Sequence, residues 1–154
     1  TPMAQDVLLR ARDVMKSGQL DTVQLAKKRY AQLLEPVCRE FDVTKNELDV
    51  LLFLANNPGL DRAADIVNLR QISKSHVSLS VANLEQRGLL YRVYDPEDRR
   101  TAHLKLTEAA LSITREGNRL QQEFFSRVFA GLTDEECALW RSILDRVCSN
   151  IKNM

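Results

Sequence analysis

The residues best placed to do chemistry fall in two neighbouring segments. The first is Asp95-Pro96-Glu97-Asp98-Arg99-Arg100, and the second is the polar stretch at residues 73–87 that precedes it. Asp95-Pro96 opens a turn. Asp98 stands beside Arg99 and Arg100, and a carboxylate there can orient a guanidinium by a charge-assisted hydrogen bond. An arginine held in this way suits the narrow minor groove of a nucleic-acid duplex. In an arbitrary loop the same trio would be a solvated ion pair worth little. In the preceding stretch, Val77, Val81 and Leu84 form an i, i+4, i+7 stripe, which faces a core. Lys74, Ser75, His76, Ser78, Leu79 and Asn83 then lie on other faces, with Ser73 at the helix start. Short hydroxyls let a helix sit close to a groove floor and bond bases or phosphates, and free N–H groups at its start can take a phosphate. The bland alternative is a solvated helix face. Its place directly before a basic hairpin is what favours contact with DNA.

Other chemistry finds little support. His76 and His103 are the two histidines, and both fall in this same region. No serine–histidine–acid set, phosphate-cradling glycine loop or metal-ligand spacing is visible, so neither an enzyme, a cofactor nor a metal is expected. Cys137 and Cys148 sit on an apolar helix face and read as small packed residues. Cys38, next to Arg39, is the better candidate for a reactive thiolate, although packing is favoured there too. Tyr30 and Phe53 could line a small-molecule pocket, but aromatics on core helices more often simply pack. The residues that would bind such a ligand are unknown.

Several elements must position these groups. Alternating runs at Leu90–Tyr94 and Ala102–Leu106 predict a β-hairpin whose tip carries Arg99 and Arg100. Arg92 lies on its first strand as a candidate phosphate contact. Thr44 and Glu47 form a capping box for a helix over residues 45–56, which Asn57-Pro58-Gly59 ends. The run 50–55 in it is apolar nearly all round, so this helix belongs at the centre of the core. Asp61 is expected to cap a short helix through Leu69, with a further short strand near Gly59-Leu60 as an option. Ser73 caps the polar helix and Gly88 ends it. Upstream, a helix is expected over residues 3–15, stopping at Ser17-Gly18. A second helix, capped by Asp21 and Gln24, runs to about Phe41 and bends or breaks at Pro36. Downstream, Thr107 caps a long helix to about Phe129, and Thr133 with Glu136 caps a last one to about Lys152. Leu120, Phe124, Phe125, Val128 and Phe129 share one face of the former, and Cys137, Trp140, Leu144, Val147, Cys148 and Ile151 share one face of the latter. A lobe of about 65 residues cannot cover that surface, so a second subunit is the simplest cover.

The bulk properties agree. The chain has 154 residues and 44% hydrophobic content, enough for a real core, and a net charge of +1. Affinity for nucleic acid must therefore come from a local patch. Residues 68–105 hold seven lysines and arginines against four acids, a local excess of three. Three scattered cysteines suggest a reducing compartment. No apolar run approaches membrane-spanning length and the first residues show no signal-peptide layout. A cytoplasmic protein without membrane association is expected.

From about Asp21 to Ile151 the chain resembles the MarR family of bacterial winged-helix transcription regulators. The resemblance rests on Asp95-Pro96-Glu97-Asp98-Arg99-Arg100 followed by Leu106-Thr107-Glu108-Ala109, on residues 73–90, and on residues 44–59. It implies a mainly α fold: a winged helix-turn-helix with a two-stranded β wing (residues 42–106) embedded in an all-helical dimerisation region (1–41 and 107–154). It also implies a homodimer on a pseudo-palindromic operator in double-stranded DNA, often released by a small-molecule effector or by oxidation. By position, residues 73–78 and Asn83 would face the major groove. Arg99, supported by Asp98, would enter the minor groove with Arg100 nearby. Ser75 and Leu79 stand where many members have proline and arginine, and Ser80 where an apolar residue is common. The expected function is transcription regulation, most simply repression. The alternative is a winged-helix protein-interaction or antirepressor module without operator binding.

Overall fold

A computed structural model describes residues 17–154. The order is α1 (Ser17–Glu40), α2 (Lys45–Asn56), α3 (Ala63–Arg70), α4 (Lys74–Gln86), β1 (Leu90–Tyr94), β2 (Ala102–Leu106), α5 (Leu111–Val128) and α6 (Asp134–Lys152). A 3₁₀ turn, Glu108–Ala110, leads into α5. The described residues belong to two compact units, one up to Gln121 and one from Gln122 to Met154. The helix expected over residues 3–15 lies outside the described residues.

In the first unit the core gathers around α2, as its apolar run requires. Leu48, Val50, Leu51, Leu52 and Phe53 are buried together with Leu34 and Val37 of α1, Ile66 of α3, Val77, Val81 and Leu84 of α4, Leu90 and Leu104 of the hairpin, and Ile113 and Leu120 of α5. The Thr44–Glu47 capping box is complete, with Glu47 N donating to Thr44 Oγ1 at 3.1 Å and Thr44 N to Glu47 Oε1 at 3.0 Å. At Gly117, α5 passes close to α2: a Cβ there would lie 2.9 Å from Leu52 Cδ2. A methyl there would force the Leu52 side chain to shift.

Helix α4 ends in a Schellman arrangement. Leu89 N donates to Leu84 O at 2.9 Å and Gly88 N to Glu85 O at 3.0 Å. Gly88 takes φ of 70°, the left-handed conformation that this stop demands. Leu84 and Leu89, which the motif brings together, are both buried. The sheet is two-stranded and antiparallel, with Leu90 opposite Leu106 and Tyr94 opposite Ala102.

Three expectations about helix caps need correction. Helix α1 is already helical at Ser17-Gly18 and runs through Asp21 and Gln24, so no cap stands at Asp21. A capping pair starts a helix only where the preceding backbone leaves the helical region, and here it does not. Pro36 lies inside α1, and the helix continues past it to Glu40. Asp61 does not cap α3: Arg62 is the N-cap, with its N–H donating to Asp65 Oδ2, because the Asp61 carboxylate is occupied on the wing. Nor does the Thr107 side chain cap the helical turn after it. Its Oγ1 donates to Gly88 O at 2.6 Å, tying the wing's exit to the end of α4. The option of a third strand reduces to a single backbone hydrogen bond, from Leu104 N to Asp61 O at 2.7 Å.

In the second unit, Thr133 and Glu136 cap α6 with a complete capping box. None of its residues is buried. Trp140 is 52% exposed, and Leu139, Ile143, Leu144, Val147 and Ile151 are exposed as well. Phe129 meets Trp140 edge to face at 6.5 Å between ring centroids.

Candidate nucleic-acid interface

The polar helix is built as its sequence requires. Ser73 caps α4 by accepting from His76 N at 3.2 Å, and its Oγ lies 3.2 Å from that of Ser75. Val77, Ser80, Val81 and Leu84 are buried. Ser73, Lys74, Ser75, His76, Ser78 and Asn83 are all exposed, so one helix presents the whole expected set to solvent. A helix turns about 100° per residue, which puts Ser75, Leu79, Ala82 and Gln86 nearest the pole opposite the buried stripe. Leu79, Ala82 and Gln86 are exposed there too. None of these three belongs to the expected contact set, because two are apolar and Gln86 lies at the far end of the helix.

The wing tip is made by two successive aspartate turns. Asp95 Oδ1 accepts from Glu97 N at 3.0 Å across Pro96, and Asp98 Oδ1 accepts from Arg100 N at 3.0 Å. Thr101 Oγ1 donates to Asp98 Oδ2 at 3.0 Å, and Asp95 N donates to Thr101 O at 3.2 Å. Asp98 therefore departs from its expected role. Both of its oxygens fold the loop, and neither clamps the Arg99 guanidinium. Local backbone N–H and hydroxyl donors are the nearer partners, so Asp98 shapes the turn that carries Arg99. Among the described residues no ion pair holds Arg99 or Arg100, and both are exposed. Tyr94, Asp95, Pro96 and Arg99 line an open groove of about 530 Å³ at this tip.

Not all of the basic patch is free. Arg92 Nε donates to Glu85 Oε2 at 3.2 Å, tying β1 to α4. Arg87 donates to the carbonyls of Phe41 and Asp42, and Arg70 stacks over Phe53 at 5.4 Å from the ring centroid. Lys105 Nζ and His103 Nδ1 each lie 2.7 Å from the Asp61 carboxylate. His103 is thus a brace for the hairpin, whereas His76 stands on the exposed face. Burial would raise the Asp61 pKa, but hydrogen bonds from Lys105 and His103 outweigh it and hold the carboxyl below its ordinary value. Within residues 68–105, Lys74, Arg99 and Arg100 are left with neither an ion pair, a carbonyl partner nor a ring contact among the described residues.

Other candidate groups lie apart from this face. Phe53 is fully buried, and Tyr30 is half-buried with its hydroxyl accepting from Gln121 Nε2 at 3.1 Å. Burial, then the Asp49 and Glu35 charges, push the Cys38 thiol up from its ordinary pKa. Cys148, expected to pack, is exposed, and Cys137 is half-buried. Among the described residues, no three histidine, cysteine or acidic side chains group as a metal site, and no helix is long and apolar enough to cross a membrane.

The exposed polar helix and the basic hairpin form one contiguous stretch of sequence, and residues 41–101 match the MarR family model. The chain is also 30% identical over 122 residues to a transcriptional regulatory protein for the hcr operon of Thauera aromatica, covering 77% of this chain and 70% of that one. The chain belongs to the MarR family of transcription regulators. The Bacillus subtilis transcriptional repressor MdtR is 29% identical over 126 residues, covering 82% of this MarR-family chain and 80% of its own. A MarR-family regulator from Listeria monocytogenes, solved with a 26mer DNA, superposes with a TM-score of 0.77 at 19% identity, covering 87% and 89% of the two chains. That likeness establishes the winged-helix fold.

Proposed function

We propose that this MarR-family chain is a homodimeric repressor that binds a pseudo-palindromic operator in double-stranded DNA. The observation that carries the reading is the pairing of α4, whose solvent face holds Ser75, His76, Ser78 and Asn83, with a wing tip whose Arg99 and Arg100 are free of ion pairs. The lobe of residues 42–106 contacts DNA, and the flanking helices assemble the dimer in the cytoplasm. In the major groove, His76 and Asn83 reach base edges, while Ser73, Lys74, Ser75 and Ser78 hold phosphates or bases. Arg99 enters the adjacent minor groove, Asp98 sets its loop, and Arg100 and Arg92 lie along the backbone. Release by a small ligand is part of the same reading. Half-buried Tyr30 and Asp49, electrostatically coupled to Arg70, are the polar groups available to it.

The test is selection of bound duplexes from a random library. An enriched inverted repeat with half-site centres about 10 base pairs apart is expected. No enrichment would favour a protein-interaction module.

A further inference from the structure

Leu79 is the one large apolar side chain on the outward face of α4. It is 60% exposed. At about 100° per residue it stands roughly opposite the middle of the buried Val77, Ser80, Val81, Leu84 stripe. Its neighbours one turn away are Ser75, His76, Ala82 and Asn83, all exposed. Ser75 and Ala82 are short, so the isobutyl group stands proud of the surface around it. In the free chain nothing is gained by displaying it there, since exposed apolar area is hydrated at a cost.

A duplex offers one apolar feature in its major groove, the 5-methyl group of thymine, and aliphatic side chains are its natural contact. We propose that Leu79 is a specificity-determining residue that reads thymine in each half-site by packing on this methyl. The proposal rests on the DNA-binding reading above and adds to it a base preference that no hydrogen-bonding side chain supplies. His76 and Asn83 flank Leu79 and bond polar base edges. Leu79 distinguishes thymine from cytosine and uracil by the presence of a carbon.

The experiment uses the full chain and a duplex recovered by selection. Thymines are replaced by deoxyuracil one symmetric pair at a time, which removes the methyl and keeps every hydrogen-bonding group. At one pair, wild-type binding should weaken about three- to fivefold per half-site, the size expected for one buried methyl. Leu79→Ala should bind the thymine and uracil duplexes alike. Cytosine at that pair should bind poorly, and 5-methylcytosine should recover part of the loss in wild type but not in Leu79→Ala. Binding that is insensitive to every thymine methyl, or methyl dependence that survives in Leu79→Ala, overturns the proposal and leaves operator binding intact. Failure of selection to enrich any duplex overturns the DNA reading itself, and this proposal with it.

Discussion

Asp61 and His103 meet across 42 residues of chain, with Oδ1 of the carboxylate 2.7 Å from Nδ1 of the ring. Lys105 occupies the other oxygen at the same distance, and the Asp61 carbonyl takes the Leu104 N–H. The segment before α3 is therefore stapled to the second wing strand. Because folding lowers the Asp61 pKa, the native carboxyl binds fewer protons than the unfolded one. Its stabilisation is complete above the ordinary value of 3.8 and is lost as pH falls through the lower folded value. Urea unfolding between about pH 5 and about pH 3 should show wild type losing more stability than Asp61→Asn. Parallel acid limbs would refute the staple.

Gly117 brings α5 close against Leu52 of α2. Gly117→Ala places a methyl 2.9 Å from Leu52 Cδ2, and Leu52 is buried with little room to yield. The gain in helix propensity is about 1 kcal/mol, whereas overpacking costs about 1–3 kcal/mol, so net destabilisation is expected. Leu52→Ala alone should also destabilise, and the double variant should lose less than the two together. Denaturant midpoints of the three variants and wild type decide the point, and additive losses would contradict the contact.

The apolar face of α6 has its own consequence. Trp140, Leu144, Val147 and Ile151 are exposed in the single chain, an arrangement that suits burial against a second copy. Leu144→Asp should sediment as a folded monomer where wild type is a dimer. A wild-type monomer at micromolar concentration would remove this part of the account.

Cys38 should be a poor redox sensor. Burial and the nearby Asp49 and Glu35 carboxylates raise its pKa, which keeps the thiol protonated and unreactive. Alkylation by iodoacetamide at about pH 8 should be slower at Cys38 than in an unstructured peptide. Mild peroxide should leave operator affinity unchanged, as should Cys38→Ser. A peroxide-induced loss abolished by Cys38→Ser would make Cys38 the sensor.

What can be read from sequence divides along a physical line. The capping boxes at Thr44 and Thr133, the stop at Gly88, both wing strands and the Val77, Val81, Leu84 stripe are all legible because each depends on residues within a turn or two of one another. Asp61, Thr107 and Asp98 are not, because their side chains have a choice of partner. Asp61 leaves a helix N-terminus for His103 and Lys105, and Thr107 leaves one for the Gly88 carbonyl. Asp98 leaves Arg99 for two donors in its own turn. Pairings across 42 residues, or between a guanidinium and a nearer N–H, are decided by tertiary placement. Leu79 is legible as lying off the core stripe, but how far it stands exposed is decided by the packing of α4.

The proposed reading of DNA by α4 and the wing together is tested most directly at Arg99. A fluorescence-anisotropy titration of the selected duplex should show Arg99→Ala binding about 1–3 kcal/mol more weakly than wild type, with the loss greatest where A·T-rich flanks narrow the minor groove. Superimposable titrations of wild type and Arg99→Ala would contradict the account.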